Sequence, residues 1–142
     1  MLSQTSEYAL RAAVILAGQP DGPLTTQQIA AAGQIPLDYL SKVLQLLNRA
    51  GLVTAMRGKG GGFTLTRHPA EMTVLEIVNA VDPLRRIRSC PLKLAEHRHR
   101  LCPLHSKLDQ ALASVERAFA STSLAELVET PATLLAHEVA HA

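Results

Sequence analysis

The chain has 142 residues, the length of one domain with room for an appended helix, so a pair of large catalytic domains is excluded. Hydrophobic residues make up 47%, yet there are only two Phe, two Tyr and no Trp, so the core must be built from Leu, Val, Ile and Ala, a composition that favours helices. The net charge of +2 allows an anionic partner without requiring one.

No stretch approaches the roughly 20 apolar residues of a membrane span, and Met1–Glu7 lacks the basic region of a secretory signal. A soluble, cytoplasmic protein with no membrane partner is therefore expected. Two cysteines cannot build a disulfide framework, and a sparse pair lying among histidines reads as a metal or redox site.

The first helix runs from Leu2 towards Gly18, with Tyr8, Ala9, Ala12, Ala13 and Leu16 at helical spacing, and is broken by Gly18, Pro20, Gly22 and Pro23. Thr25 and Gln28 form a capping box for a short second helix that ends at Gly33. Pro36 suits the first turn of a third helix, in which Leu40, Val43, Leu44 and Leu47 line one face until Gly51. Asp38, Ser41, Lys42, Gln45 and Arg49 are left for solvent. The period then changes. Leu52–Met56 and Phe63–Thr66 read as strands joined by the turn Gly58–Gly62, a hairpin with a basic, glycine-rich tip. Thr73 caps a fourth helix bearing Val74, Ile77, Val78 and Val81, closed by Pro83.

Residues 84–103 hold Arg85, Arg86, Arg88, Lys93, Arg98 and Arg100 against one acid, Glu96, with both cysteines and two histidines interleaved. The segment is too polar for core and too rich in Cys and His for a plain linker. From Leu104 the series Leu104, Leu108, Ala111, Val115, Ala118 alternates four and three, the stripe of a helix that packs along another helix, which predicts a homodimer. Ser123 and Glu126 cap a further short helix, and an Ala-rich tail follows Pro131. The expected units are a winged helix-turn-helix over 1–82, a Cys/His sensor loop over 83–105, a dimerisation helix with its short successor over 106–130, and a tail over 131–142. The fold class is mainly α with one small β-hairpin.

Three helices followed by a hairpin is the order of a winged helix-turn-helix, in which the third helix enters the major groove and the hairpin lies along the backbone. Ser41, Lys42 and Gln45 then become candidate base or phosphate contacts, with Tyr39 supplying a ring and a hydroxyl, Thr26 opening the second helix, and Arg57 and Lys59 on the wing. The glycines between those two cations let backbone approach phosphate, while Phe63 returns inward as an anchor. A nucleotide-binding glycine loop is set aside because this run joins two strands instead of opening a helix. Without DNA, the same polar helix face is simply solvated, and the winged helix serves as a protein-interaction adaptor.

Ser6-Glu7-Tyr8-Ala9-Leu10-Arg11, Tyr39-Leu40, Ala50-Gly51-Leu52-Val53, Arg57-Gly58-Lys59-Gly60-Gly61-Gly62-Phe63 and Cys102-Pro103-Leu104-His105, in this order, resemble the IscR/NsrR (Rrf-type) family of bacterial regulators from residue 1 to about 128. The resemblance implies a homodimeric winged-helix transcription factor on double-stranded operator DNA, many members of which carry an iron-sulfur cluster before the dimerisation helix. Iron-sulfur, redox or nitric oxide sensing is thereby implied. Cluster-bearing members place three cysteines in this loop. Here Cys90 and Cys102 match the first and third, while the middle position is Glu96. The resemblance adds His105 as a ligand candidate, and Glu7 as a carboxylate donated by the other subunit. Two thiolates, an imidazole and a carboxylate are chemically able to hold a [2Fe-2S] centre.

Cys90, His97 or His99, Cys102 and His105 also compose a Cys₂His₂ zinc set, although the spacing fits no standard finger. A loop without metal, whose thiols form a switchable disulfide or pack as small apolar groups, is the third reading. His137-Glu138-Val139-Ala140-His141 spells the HExxH of zinc hydrolases, but no third ligand or enclosing cleft accompanies it, so the chain is read as no enzyme. His68, past the wing, is read as a surface residue.

Overall fold

A computed structural model describes residues 2–19, 21–97 and 100–129, apart from the side chains of His97 and Glu129. Helix α1 spans Gln4–Ala17, and its N-cap is Ser3, whose side chain accepts the Ser6 amide. The spacing of α1 predicts one apolar face, yet Leu10, Val14 and Ile15 are buried along with Ala9, Ala12, Ala13 and Leu16. The reason is position. Helices α2 (Thr26–Gly33), α3 (Leu37–Arg49), α4 (Val74–Val81) and α6 (Leu124–Glu129) all pack on α1, which is therefore covered on most of its circumference.

Helix α2 carries the expected reciprocal capping box of Thr25 and Gln28. Gln34 ends it in a left-handed conformation (φ 51°), and Pro36 becomes the N-cap of α3, one position earlier than expected. Leu40, Val43, Leu44 and Leu47 of α3 are all buried. Strands β1 (Val53–Met56) and β2 (Gly62–Leu65) pair antiparallel with Val53 opposite Leu65 and Met56 opposite Gly62. The hairpin has a third edge that periodicity does not reveal. Leu24, just before α2, exchanges two backbone hydrogen bonds with Phe63 (3.1 and 2.7 Å), which fastens the wing to the helix-turn-helix.

After the wing, a single 3₁₀ turn at Pro69–Glu71 is capped by the exposed His68, whose Nδ1 accepts the Ala70 amide. Thr73 and Glu76 form a full capping box on α4. Burial raises the Glu76 pKa, but the Thr73 amide and the adjacent Arg67 guanidinium more than offset that and leave it lowered. Helix α5, Pro103–Ala120, begins with Cys102 as its N-cap, so the expected boundary at residue 105 falls inside the helix. Helix α6 then folds back. The Val74 amide donates to the Thr122 carbonyl and the Leu124 amide to the Met72 carbonyl, burying Leu124 in the same core as α1 and α4. No helix among the described residues is long and apolar enough to cross a membrane.

Candidate nucleic-acid interface and sensor cleft

Once Leu40, Val43, Leu44 and Leu47 have turned into the core, helical geometry leaves Asp38, Ser41, Lys42, Gln45 and Arg49 exposed on the far side of α3. Ser41 back-bonds to the Leu37 carbonyl at 3.1 Å. Thr26 is half-buried on the first turn of α2. Arg57 and Lys59 are exposed at the wing, whose tip closes through a hydrogen bond from the Gly61 amide to the Gly58 carbonyl. Phe63 packs partly into the core, the anchoring role expected of it.

Tyr39 has a partner on α1. It is half-buried, and its hydroxyl lies 2.5 Å from Thr5 Oγ1 on α1. The Tyr8 ring meets it edge-on at 5.2 Å, and the Arg11 guanidinium lies 5.7 Å over Tyr8 while donating to the Gly33 carbonyl. Sequence reasoning missed this connection because 34 residues separate its ends. The Thr5, Tyr8, Arg11 spacing on successive turns was the available signal.

In the sensor segment, Cys102 Sγ and His105 Nδ1 are 3.2 Å apart on the first turn of α5. Glu96, Arg100, Leu101, Cys102, Pro103 and Ser106 line one cleft of about 450 Å³. Cys90 is 7% exposed, so the expectation that this segment is too polar for core fails at that residue. Glu7 is half-buried on α1. Among the described residues no three His, Cys, Asp or Glu side chains converge closely enough to hold a metal ion. A single protomer thus presents one thiol–imidazole edge with a carboxylate on the same cleft. The His97 side chain, His99 and the HExxH tail lie outside the described residues.

The arginines ahead of Cys90 do not form a uniform solvated face. Arg86 grips Asp109 of α5 with a two-pronged pair of bonds (Nε to Oδ1 2.7 Å, Nη2 to Oδ2 2.6 Å), and the Ile87 amide donates to Asp109 Oδ1 at 2.9 Å. The Arg86 hydrogen bonds, with help from the Ile87 amide, pull the Asp109 pKa down to about 2. Nothing in the local pattern marks this pair, whose members stand 23 residues apart.

The match to the Rrf2 family, described as iron-dependent transcriptional regulators, extends over residues 2–130. The chain belongs to this family. It is 28% identical over 131 residues to a protein of Aquifex aeolicus (strain VF5) named as an HTH-type transcriptional regulator, covering 90% of this chain and 91% of that one. Among solved structures, CymR, the global cysteine regulator of B. subtilis, superposes with a TM-score of 0.74 at 24% identity, covering 90% of this chain and 95% of that chain. The IscR of T. potens gives 0.75 at 24% identity, covering 91% and 86%. These likenesses establish the winged-helix fold, and the family makes this chain a DNA-binding transcriptional regulator.

Proposed function

We propose that this Rrf2-type regulator reads a two-fold symmetric operator as a homodimer, using α3 and the wing. Its operator affinity is controlled by an iron-sulfur centre at the Cys90–His105 segment. The DNA half rests on one observation: the polar face of α3 is exposed beside a wing that carries Arg57 and Lys59 and is hydrogen-bonded to the segment entering α2. Lys42 and Gln45 are the base-edge readers, Ser41 and Thr26 lie at the same face, and the two wing cations neutralise phosphates.

The sensor half is supported by Cys102 beside His105 at the head of α5. Cys90, Cys102 and His105 would hold the centre, with Glu96 or Glu7 of the partner subunit as the fourth donor. Two soft thiolates, an imidazole and a carboxylate suit a [2Fe-2S] ligand set in chemistry, and one protomer gathers part of it. When bound, such a group supplies a response to iron-sulfur status, redox state or nitric oxide. The chain's own contribution is mechanical. Cys102 and His105 belong to α5 itself, and Arg86 and Ile87 are held to Asp109 one turn further along. Both ends of segment 87–102 are therefore fastened to the N-terminal half of α5, so a rearrangement within it is transmitted to that helix.

Protein purified without oxygen is expected to be coloured and to contain iron and sulfide, with both lost in Cys102→Ala. Stoichiometric zinc would select the structural-metal reading, and neither metal would select a thiol-based one. On a selected duplex, Arg57→Ala with Lys59→Ala should flatten the log–log salt dependence of the dimer by about 3.6, from two cations in each of two protomers at roughly 0.9 per phosphate contact. An unchanged slope would remove the wing from the interface.

A further inference from the structure

The aliphatic stripe of α3, Leu40, Val43, Leu44 and Leu47, holds the helix against the core through a force that is itself non-directional. Directional contacts come from α1. Thr5 meets the Tyr39 hydroxyl, Tyr8 meets the Tyr39 ring edge, and Arg11 lies over Tyr8 and bonds the carbonyl of Gly33, the last residue of α2, where the turn to α3 begins. Gln4 donates to the Tyr8 hydroxyl at 3.0 Å, fixing that ring from behind. The first turn of α3 and the turn preceding it are thus both held by successive turns of α1. Lys42 follows Tyr39 by three residues, so any rotation at Tyr39 moves the exposed reading face.

We infer that Thr5, Tyr8 and Arg11 form a bracket that sets the roll of α3 through Tyr39, which makes Tyr39 a positioning residue for operator choice and not a base contact. The inference rests on α3 being the groove helix. Hydrogen bonds to base edges are sharply angle-dependent, whereas long cations follow a phosphate over a wider range. Loosening the bracket therefore lowers discrimination between sequences more than it lowers general affinity.

The probes are a duplex selected from a random pool by the wild-type protein and an unrelated duplex of equal length. Tyr39→Phe and Thr5→Val should each reduce the ratio of specific to non-specific affinity roughly 2- to 12-fold per half-site, the range for one lost hydrogen bond. The double variant should lose no more than either single one, and Thr5→Ser should restore the ratio. The salt slope should not change. A loss in Tyr39→Phe without one in Thr5→Val would show that the hydroxyl touches DNA and overturn the bracket, as would an unchanged ratio in both. Should a hydroxyl variant not fold, Arg11→Lys tests the other end through its shortened reach to Gly33, and an unchanged ratio there counts against the bracket. If Lys42→Ala and Gln45→Ala leave the ratio intact, it is the reading by α3 that fails.

Discussion

At the scale of single residues, the wing glycines divide by what they face. A Cβ on Gly62 would lie 2.3 Å from the Leu24 carbonyl oxygen, on a backbone at φ +147°, and one on Gly61 would lie 2.2 Å from the Met56 carbonyl oxygen. These two glycines therefore admit the protein's own backbone. Close approach to phosphate was the expected reason, and only Gly58 and Gly60, where an added Cβ meets nothing within 4 Å, are left open for that role. Gly62→Ala should destabilise the fold by about 1–3 kcal/mol, since it meets both a backbone clash and a strained φ. Urea unfolding checks this, and a midpoint equal to wild type would mean that the Leu24–Phe63 pairing contributes nothing. Because the wing is displaced as a whole, affinity should drop for every DNA sequence alike.

At the scale of elements, the strap between Arg86, Ile87 and Asp109 joins the loop to the long helix. Asp109 has its folded-state pKa depressed from 3.8 to about 2. Its contribution is therefore complete above pH 4 and is lost as the pH falls through 2. Between pH 4 and 7 the Ile87 amide should stay protected from hydrogen exchange, after correction for the intrinsic rate. Asp109→Ala, which removes the acceptor, should expose that amide across the whole range while leaving the Gly33–Pro36 turn protected. Equal protection in variant and wild type would mean that the loop is held elsewhere. Arg86 also lies 3.8 Å from Glu116, a longer contact that adds little when partly solvated.

At the scale of the whole molecule, α5 presents two different sides. Ala113 is buried and Phe119 packs on the core, whereas Leu104 and Leu108 are 64% and 47% exposed and Ala111 and Ala118 are open. Four of the five residues of the stripe expected to pair helices are thus exposed, and the fifth, Val115, is half-buried. Leu104→Asp with Leu108→Asp should yield a monomer by sedimentation. Its operator affinity should fall, because two linked half-site contacts become independent. A dimer that persists would place the interface elsewhere. If a ligand at the sensor segment controls operator affinity as proposed, linkage requires operator DNA to shift affinity for that ligand by the same free energy.

The sequence alone determined the helices, three of their caps, the hairpin and the two polar surfaces, because periodicity and capping act within one or two turns of chain. Thr25–Gln28, Thr73 and Ser123–Glu126 could all be read as caps on that basis, and so could the exposed face of α3. Tertiary structure alone decided the Leu24–Phe63 pairing, the Thr5–Tyr39 contact, the Arg86–Asp109 strap, the burial of Cys90 and the return of α6 onto α1. Each joins surfaces brought together by packing around α1 or α5, and a local pattern carries no record of which distant segment will cover it.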